Sequence, residues 1–476
     1  MIESLARQWA LVPQDDPLLR HGRVVHEARG FALVANELAT VAIAAGGERT
    51  VCVLGAATIP SDPSQTMDGI ARLLASSGDV RGRICDLAGC YAVIVWNESG
   101  CVAYTDPASI IGLYHTDDAR QLASTPALLG EPCIDPQIES WFAANPQNNW
   151  IPGPATLVAG VRAVPANCSF RMGTGAIERF WPLPEDLSPP GRDPVAVVAD
   201  DIRGACEAVA HDDRSIVLSI TGGYDSRVCL AGARHVLDQC SLFTLRPSER
   251  EGPDVTMARE LASLARQPHR VIDCPEATSE QIAAFDRLCA GQVRGAAREV
   301  IGGSARVAEG PAIHVGGGLG AVLKNYYGPK AGSRQSAVKP SELLTDFAGP
   351  PASIVRSVEQ WLDSVSDLPP QLQRTLMYVE QRTARWGGPT ELGSSLFYDP
   401  FTPFCSRRVI LAAAFAEDEL LERGRFHQAV IERLWPELVS VGFTRARSPM
   451  MRLVPRGLKE RLRPLKRVVE GRLGGR

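Results

Sequence analysis

The sequence has 476 residues and 12 Cys, yet it contains no C-x-x-C pair and no Cys/His group at zinc spacing. That excludes a structural zinc motif and a dithiol redox motif. The cysteines stand singly, and Cys90, Cys101 and Cys229 lie inside apolar runs, as small core residues do. No apolar run reaches the roughly 20 residues of a membrane span. The opening MIESLARQWALVPQDD lacks the basic-then-apolar pattern of an export signal. A reducing cytoplasm is the expected setting. No glycine-rich loop ends in G-K-[ST], so a Walker-type transfer of the γ-phosphoryl group is not indicated. Net charge is low at −4, but residues 443–476 carry eleven Lys or Arg against two Glu, leaving −13 on the rest. The length predicts two or three domains with a large core.

What is present centres on Ser215 to Arg227, SIVLSITGGYDSR. Ser215 to Ile220 reads as a buried parallel strand, Thr221-Gly222-Gly223 as a turn, and Tyr224-Asp225-Ser226-Arg227 as the start of a helix. Strand, glycine turn and helix present backbone N–H groups and a helix N-terminus to a phosphate. Gly222 and Gly223 allow close approach because no Cβ intervenes. Ser219, Thr221 and Ser226 add hydroxyls, and Asp225 suggests a magnesium ion between carboxylate and phosphate. The stretch resembles the pyrophosphate loop, S-G-G-x-D-S, of the ATP-pyrophosphatase superfamily, with Thr221 at the first position. The resemblance implies ATP cleavage between the α and β phosphates, leaving an acyl or aryl adenylate.

Upstream, Phe31–Asn36, Thr40–Ala45, Thr50–Leu54, Cys90–Asn97, Cys101–Thr105, Gly112–His115 and Gln121–Ser124 read as short strands. Met67–Ser76 reads as a helix among them, which makes a layered α+β domain. The positions Gly89, Tyr91, Trp96, Asp106, Gly112, Leu113 and Tyr114 resemble the glutaminase-type domain of the asparagine synthetase family. That implies an αββα layering of the N-terminal-nucleophile type. A working member needs Cys at position 2, where this chain has Ile2, so the expectation is a relic without glutamine hydrolysis. Residues 143–165 are rich in Pro, Asn and Gly and are expected to form an exposed crossover. Five prolines within Pro182–Pro194 place the domain boundary there, giving 1–186 and 195–476 with a basic tail at 443–476.

Downstream the pattern alternates: helix Val195–Val209, the loop strand, strand Cys240–Leu245, helix Asp254–Gln267, strand His269–Asp273, helix Glu280–Cys289 and strand Pro311–Val315. This predicts a doubly wound parallel sheet with ligands beyond its carboxyl ends, followed by a helical extension from Leu343 to Val439. Leu218 and Phe243 are candidates to flank adenine, with core packing as the alternative. A second glycine loop, IHVGGGLGAVLKNYYG at 313–328, offers Gly317 and Gly318 to the nucleotide. In the resembled family the matching segment carries an acid that helps hold magnesium; here those places read Gly320 and Ala321. Asp225 is left as the clear metal ligand, with Asp254 as a possible replacement. Lys324 either meets a phosphate or is a solvated helix residue.

Phe397–Val409 and Arg425–Pro436 resemble later parts of the same family, and Arg445 and Arg447 lie where its mobile-loop lysine would be. In β-lactam synthetases a Tyr–Glu pair deprotonates the attacking amine, and Tyr378 and Glu380 are the candidates here. Two residues apart on a helix, they face different directions. The tail 450–476, with Leu458, Leu462, Leu465 and Val469 at helical spacing, either docks by its leucines or meets an anionic partner.

The resulting expectation is an ATP- and Mg2+-using amide ligase that adenylates a small-molecule or peptide carboxylate and joins it to an amine. No nucleic-acid partner and no membrane span are expected, and a homodimer is left open. The alternatives are a catalytically degenerate nucleotide-binding or scaffold protein, and an RNA-modifying sulfur transferase with the same loop.

Overall fold

The computed structural model describes residues 2–129, 133–146, 150–189, 191–247, 252–324, 326–327, 334–345 and 347–444. The basic tail, Arg445 and Arg447 lie outside the described residues. In chain order the first strands are β1 (Trp9–Pro13), β2 (Arg23–Ala28), β3 (Phe31–Ala35), β4 (Val41–Gly46), β5 (Arg49–Thr58) and β6 (Ala88–Asn97). Then come β7 (Gly100–Thr105), β8 (Tyr114–Thr116), β9 (Leu122–Ala123), β10 (Val161–Ala163), β11 (Cys168–Arg171) and β12 (Ile177–Arg179). They form two antiparallel six-stranded sheets, ordered β10-β8-β9-β1-β3-β2 and β12-β11-β7-β6-β5-β4.

Alternation along β6 shows how these sheets stack. Ala92, Ile94 and Trp96 point into a core shared with Trp9, Leu11 and Leu33 of the other sheet. Tyr91, Val93 and Val95 point the opposite way, into the core under the helix Met67–Ser76. That helix is capped by Thr66, whose hydroxyl accepts Gly69 N–H, and it buries Ile70, Ala71 and Leu74. The outer face of the first sheet packs Ala10, Val12 and Tyr114 against Leu288 and Leu392 from late in the chain.

The third sheet is parallel throughout. Its strands are β13 (Ser215–Ser219), β14 (Cys240–Arg246), β15 (His269–Asp273), β16 (Ala312–Val315) and β17 (Asp399–Phe401). The order is β15-β14-β13-β16-β17. The chain is therefore α/β in this part and α+β in the first, as the alternating and clustered strand patterns predict. Strand β17 has three residues with Pro400 at its centre, too short for any periodicity to show. Among the described residues no helix is long and apolar enough to cross a membrane.

Two sequence expectations are corrected. The segment 143–165 is not an exposed crossover, because Ile151, Pro152 and Gly153 are buried. Its backbone is satisfied by helical side chains: Gln381 Oε1 accepts Gly153 N–H at 2.9 Å, and Arg385 donates to the Ile151 and Ala155 carbonyls. Leu218 and Phe243 are not adenine contacts either. They are 0 % and 2 % exposed, and they point to opposite cores across adjacent strands.

Arg407, 1 % exposed, ties the helix Arg407–Ala414 to the first half of the chain. It donates to the carbonyls of Ile84 and Thr105, the Tyr91 hydroxyl and Asn167 Oδ1, all within 3.1 Å. Arg407→Met leaves those acceptors buried and unpaired. It is expected to lower unfolding stability by at least about 3 kcal/mol, measured by urea denaturation; a loss near zero contradicts this role.

Candidate active site

Strands β14 and β15 extend to one side of β13, and β16 and β17 to the other. The chain direction across the sheet thus reverses between β13 and β16. In open parallel sheets this is where ligands bind, beyond the carboxyl ends. Both glycine loops emerge there, residues 220–223 after β13 and 316–320 after β16.

Ser219 closes β13, and the helix Tyr224–Gly232 begins after Gly223 without a side-chain cap. Inside the loop, Ser226 Oγ accepts Thr221 N–H at 3.1 Å and lies 2.8 Å from Thr221 Oγ1. Thr221 Oγ1 accepts Gly223 N–H at 3.1 Å, and Asp254 Oδ1 accepts Gly222 N–H at 3.2 Å. The hydroxyls expected to face a phosphate therefore first brace the turn. Asp254 braces it too, accepting the Gly222 N–H through Oδ1.

The second glycine loop packs directly beneath Asp225. A Cβ on Gly317 would lie 2.9 Å from Asp225 Cβ, and one on Gly320 would lie 2.7 Å from both Cβ and Cγ of Asp225. Glycine at 320, where the resembled family carries part of its acidic motif, is thus demanded by packing. Gly318 is exposed, and its carbonyl accepts the Thr402 hydroxyl.

Asp225 Oδ1 is held from two sides. Lys324 Nζ lies 3.1 Å away and His427 Nε2 2.8 Å away. His427 Nε2 is also 2.9 Å from the Gly320 carbonyl, so it carries a proton that two acceptors share. Burial pushes the Asp225 carboxyl up, but the His427 N–H and the Lys324 ammonium overcome this and hold it below its ordinary value. Lys324 follows a short 3-10 turn, Gly320–Leu323, and does not lie within a helix as its spacing suggested.

Tyr224 stacks on Phe443 with ring centres 4.2 Å apart. Arg227, fully buried, lies over the same Phe443 ring and donates to the carbonyls of Leu438, Val441 and Gly442. Thr444 N–H then donates to the Gly222 carbonyl at 2.9 Å. Residues 438–444 are so fastened across the loop. Neither His427 nor Arg227 was marked by the sequence. Both act across about 200 residues of chain, where local spacing carries no signal.

The pair Tyr378 and Glu380 is not assembled. Both lie on a π-helix, Met377–Gly387. Tyr378 faces Tyr326 at 4.6 Å between ring centres, and burial pushes its phenol well up. Glu380 instead holds Arg179 with two bonds of 2.8 and 2.9 Å, and it accepts from Asn167 and Trp361. With four donors on two oxygens it is a structural strut and not the base for an amine.

Among the described residues no group of three or more His, Cys, Asp or Glu converges, so there is no all-protein metal cage; a magnesium ion at this loop would be held by the Asp225 carboxylate together with nucleotide phosphates.

No protein-family model matches the sequence, and no curated protein matches it. Solved structures with partial likeness include a glutamine-dependent NAD+ synthetase from Acinetobacter baumannii bound to ADP. It is 16% identical with a TM-score of 0.18, over 45% of this chain and 40% of that one. A glutamine phosphoribosylpyrophosphate amidotransferase from B. subtilis with ADP and GMP is 10% identical, TM-score 0.25, over 67% of this chain and 72% of that one. An allosteric regulatory enzyme of purine biosynthesis is 9% identical, TM-score 0.23, over 68% and 70%. The chain spans less than half the length of the NAD+ synthetase. Scores this low place no residue.

Two outcomes are expected. Gly320→Ala puts a methyl against Asp225 and should cost about 1–3 kcal/mol of stability, read by urea denaturation. Because the Asp225 carboxyl is held low, its contribution is present above the unfolded carboxylate range near pH 4 and is lost as pH falls through the lower folded value. Asp225→Asn should remove that part of the acid dependence, about 0.5–1 kcal/mol for a pair this accessible. Identical acid-unfolding curves for the two proteins count against the pairing.

Proposed function

We propose that the chain binds ATP at the crevice between β13 and β16 and uses it to activate a carboxylate as its adenylate for capture by an amine. The observation that carries this reading is the convergence of two glycine loops and Lys324 at the point where the sheet reverses direction. The resemblance of Thr221–Ser226 to a pyrophosphate loop supplies the bond cleaved.

In this reading the start of the helix Tyr224–Gly232 and the Gly222–Gly223 turn receive the outer phosphates. Lys324, with a third of its side chain exposed, shifts its ammonium from Asp225 to the departing pyrophosphate. Asp225 and His427 hold that lysine ready until the nucleotide arrives. The substrate carboxylate oxygen attacks the α-phosphorus, and the bridging oxygen leaves with pyrophosphate. The amine nitrogen then attacks the acyl carbon, AMP leaves with the former carboxylate oxygen, and one proton is released. No step here passes through a divalent ion. Tyr378, kept neutral by burial, borders the site as a phenol. No cysteine precedes Cys52, so β1 brings no thiol for glutamine hydrolysis.

The same clamp on Asp225 favours a second reading, a nucleotide-binding protein without turnover. ATP–pyrophosphate exchange across a panel of carboxylic acids separates the two. Exchange that depends on one acid, and that falls on the order of 100-fold in Lys324→Met, as loss of one transition-state donor does, supports the ligase. ATP binding with no exchange for any acid supports the second reading. Exchange unchanged in Lys324→Met contradicts the role given to that residue.

A further inference from the structure

Each of the three sheets ends in two edge strands, whose outward N–H and C=O groups can pair with another chain. Five of these six edges are defended. β2 carries Arg23 and Glu27, and its register shifts between Val24 and His26. β10 has three residues, with Arg162 at its centre bridged to Ala155. β12 is equally short and carries Glu178 and Arg179. β15 carries Arg270 and Asp273, and β17 has Pro400. Charge, shortness, a bulge and proline are the means by which proteins keep such edges unpaired.

The sixth edge, β4, has none of them. Its six residues read VAIAAG, with no charge and no proline, and its pairing with β5 is regular throughout. Gly55 N–H donates to the Thr40 carbonyl directly across the ladder, at 3.1 Å. Bonded and non-bonded residues alternate along an antiparallel pair. Ala42, Ala44 and Gly46 therefore bond to β5, while Val41, Ile43 and Ala45 turn their N–H and C=O groups outward. Nothing among the described residues bonds to those outward groups. Val41 packs into the core between the sheets, but Ile43 and Ala45, on the same face, are exposed, Ile43 by 42 %. Leu38, three residues ahead of the strand, is 52 % exposed.

The pattern of the strand selects its occupant. Its outward groups are spaced evenly about Ile43. A two-fold axis there sets Ile43 against Ile43 of a second copy and Val41 against Ala45, and each pair exchanges both backbone bonds. No charges are opposed, because the strand has none. The two exposed Ile43 side chains stand directly opposite each other and bury one another. An unrelated strand would find no charge here to choose it by. A second copy uses up both edges at once, and the two-fold closes the assembly.

We propose that β4 pairs antiparallel with β4 of a second copy about a two-fold axis at Ile43, so that two six-stranded sheets become one continuous sheet.

Sedimentation of the full chain over a range of concentrations tests this, and a reversible monomer–dimer equilibrium is expected. Ile43 is exposed, so Ile43→Lys keeps the fold and sets two like charges face to face. The dissociation constant should rise at least about 10-fold. Ala45→Pro removes an N–H that points outward and leaves the bonds to β5 in place, and the same weakening is expected. Ile177→Lys, exposed on the distant β12 edge, should dimerise as the parent does. Circular dichroism matching the parent's identifies the folded variants. A chain that stays monomeric over the whole range, growth into open polymers, a dimer undiminished in either folded edge variant, or one lost in Ile177→Lys overturns the assignment.

Discussion

Buried arginine forks that gather main-chain carbonyls hold this molecule together. Irregular segments cannot pair their own carbonyls in a ladder, and a buried carbonyl without a donor is costly. A guanidinium carries five donors in a fixed plane and stays charged, so one side chain can close several such gaps. Arg407 does this between Ile84 and Thr105, Arg385 for Ile151 and Ala155, and Arg334 for Ala413, Ala414 and Ala416. The charge carries a cost even so: burial pushes Arg227 down to about 10.

The loop at the carboxyl end of β13 depends on the same device. Arg227 stands two residues after Asp225 and collects the carbonyls of Leu438, Val441 and Gly442. The turn Thr221–Gly223 and the residues 438–444 that lie across it are therefore one unit. Asp225 then organises the opposite side, with a glycine loop beneath it and Lys324 and His427 on its oxygen. Substitution at any of these positions propagates to the others, because no space separates them.

The elements most legible in the sequence were the helix Met67–Ser76, with its regular apolar spacing, and the strands that are unbroken apolar runs, β6 among them. Legibility failed where the partner lies far along the chain. The stretch 143–165 looks like loop by composition and is buried only because Gln381 and Arg385 satisfy its backbone. Glu380 looks like a candidate base until Arg179 and Trp361 are seen to claim both oxygens. Leu218 and Phe243 lie at the right height for an adenine, but only the sheet's layering shows them sealed on both sides.

The π-helix Met377–Gly387 has a consequence for how this chain is compared with others. A π turn closes one residue later than an α turn, and each residue on an α-helix turns the side-chain direction by about 100°. A relative that ran plain α through this stretch would need about one residue fewer for each π turn to present the same surfaces. Matching the two without a gap would rotate every downstream position on the helix off its true counterpart, Arg385 included.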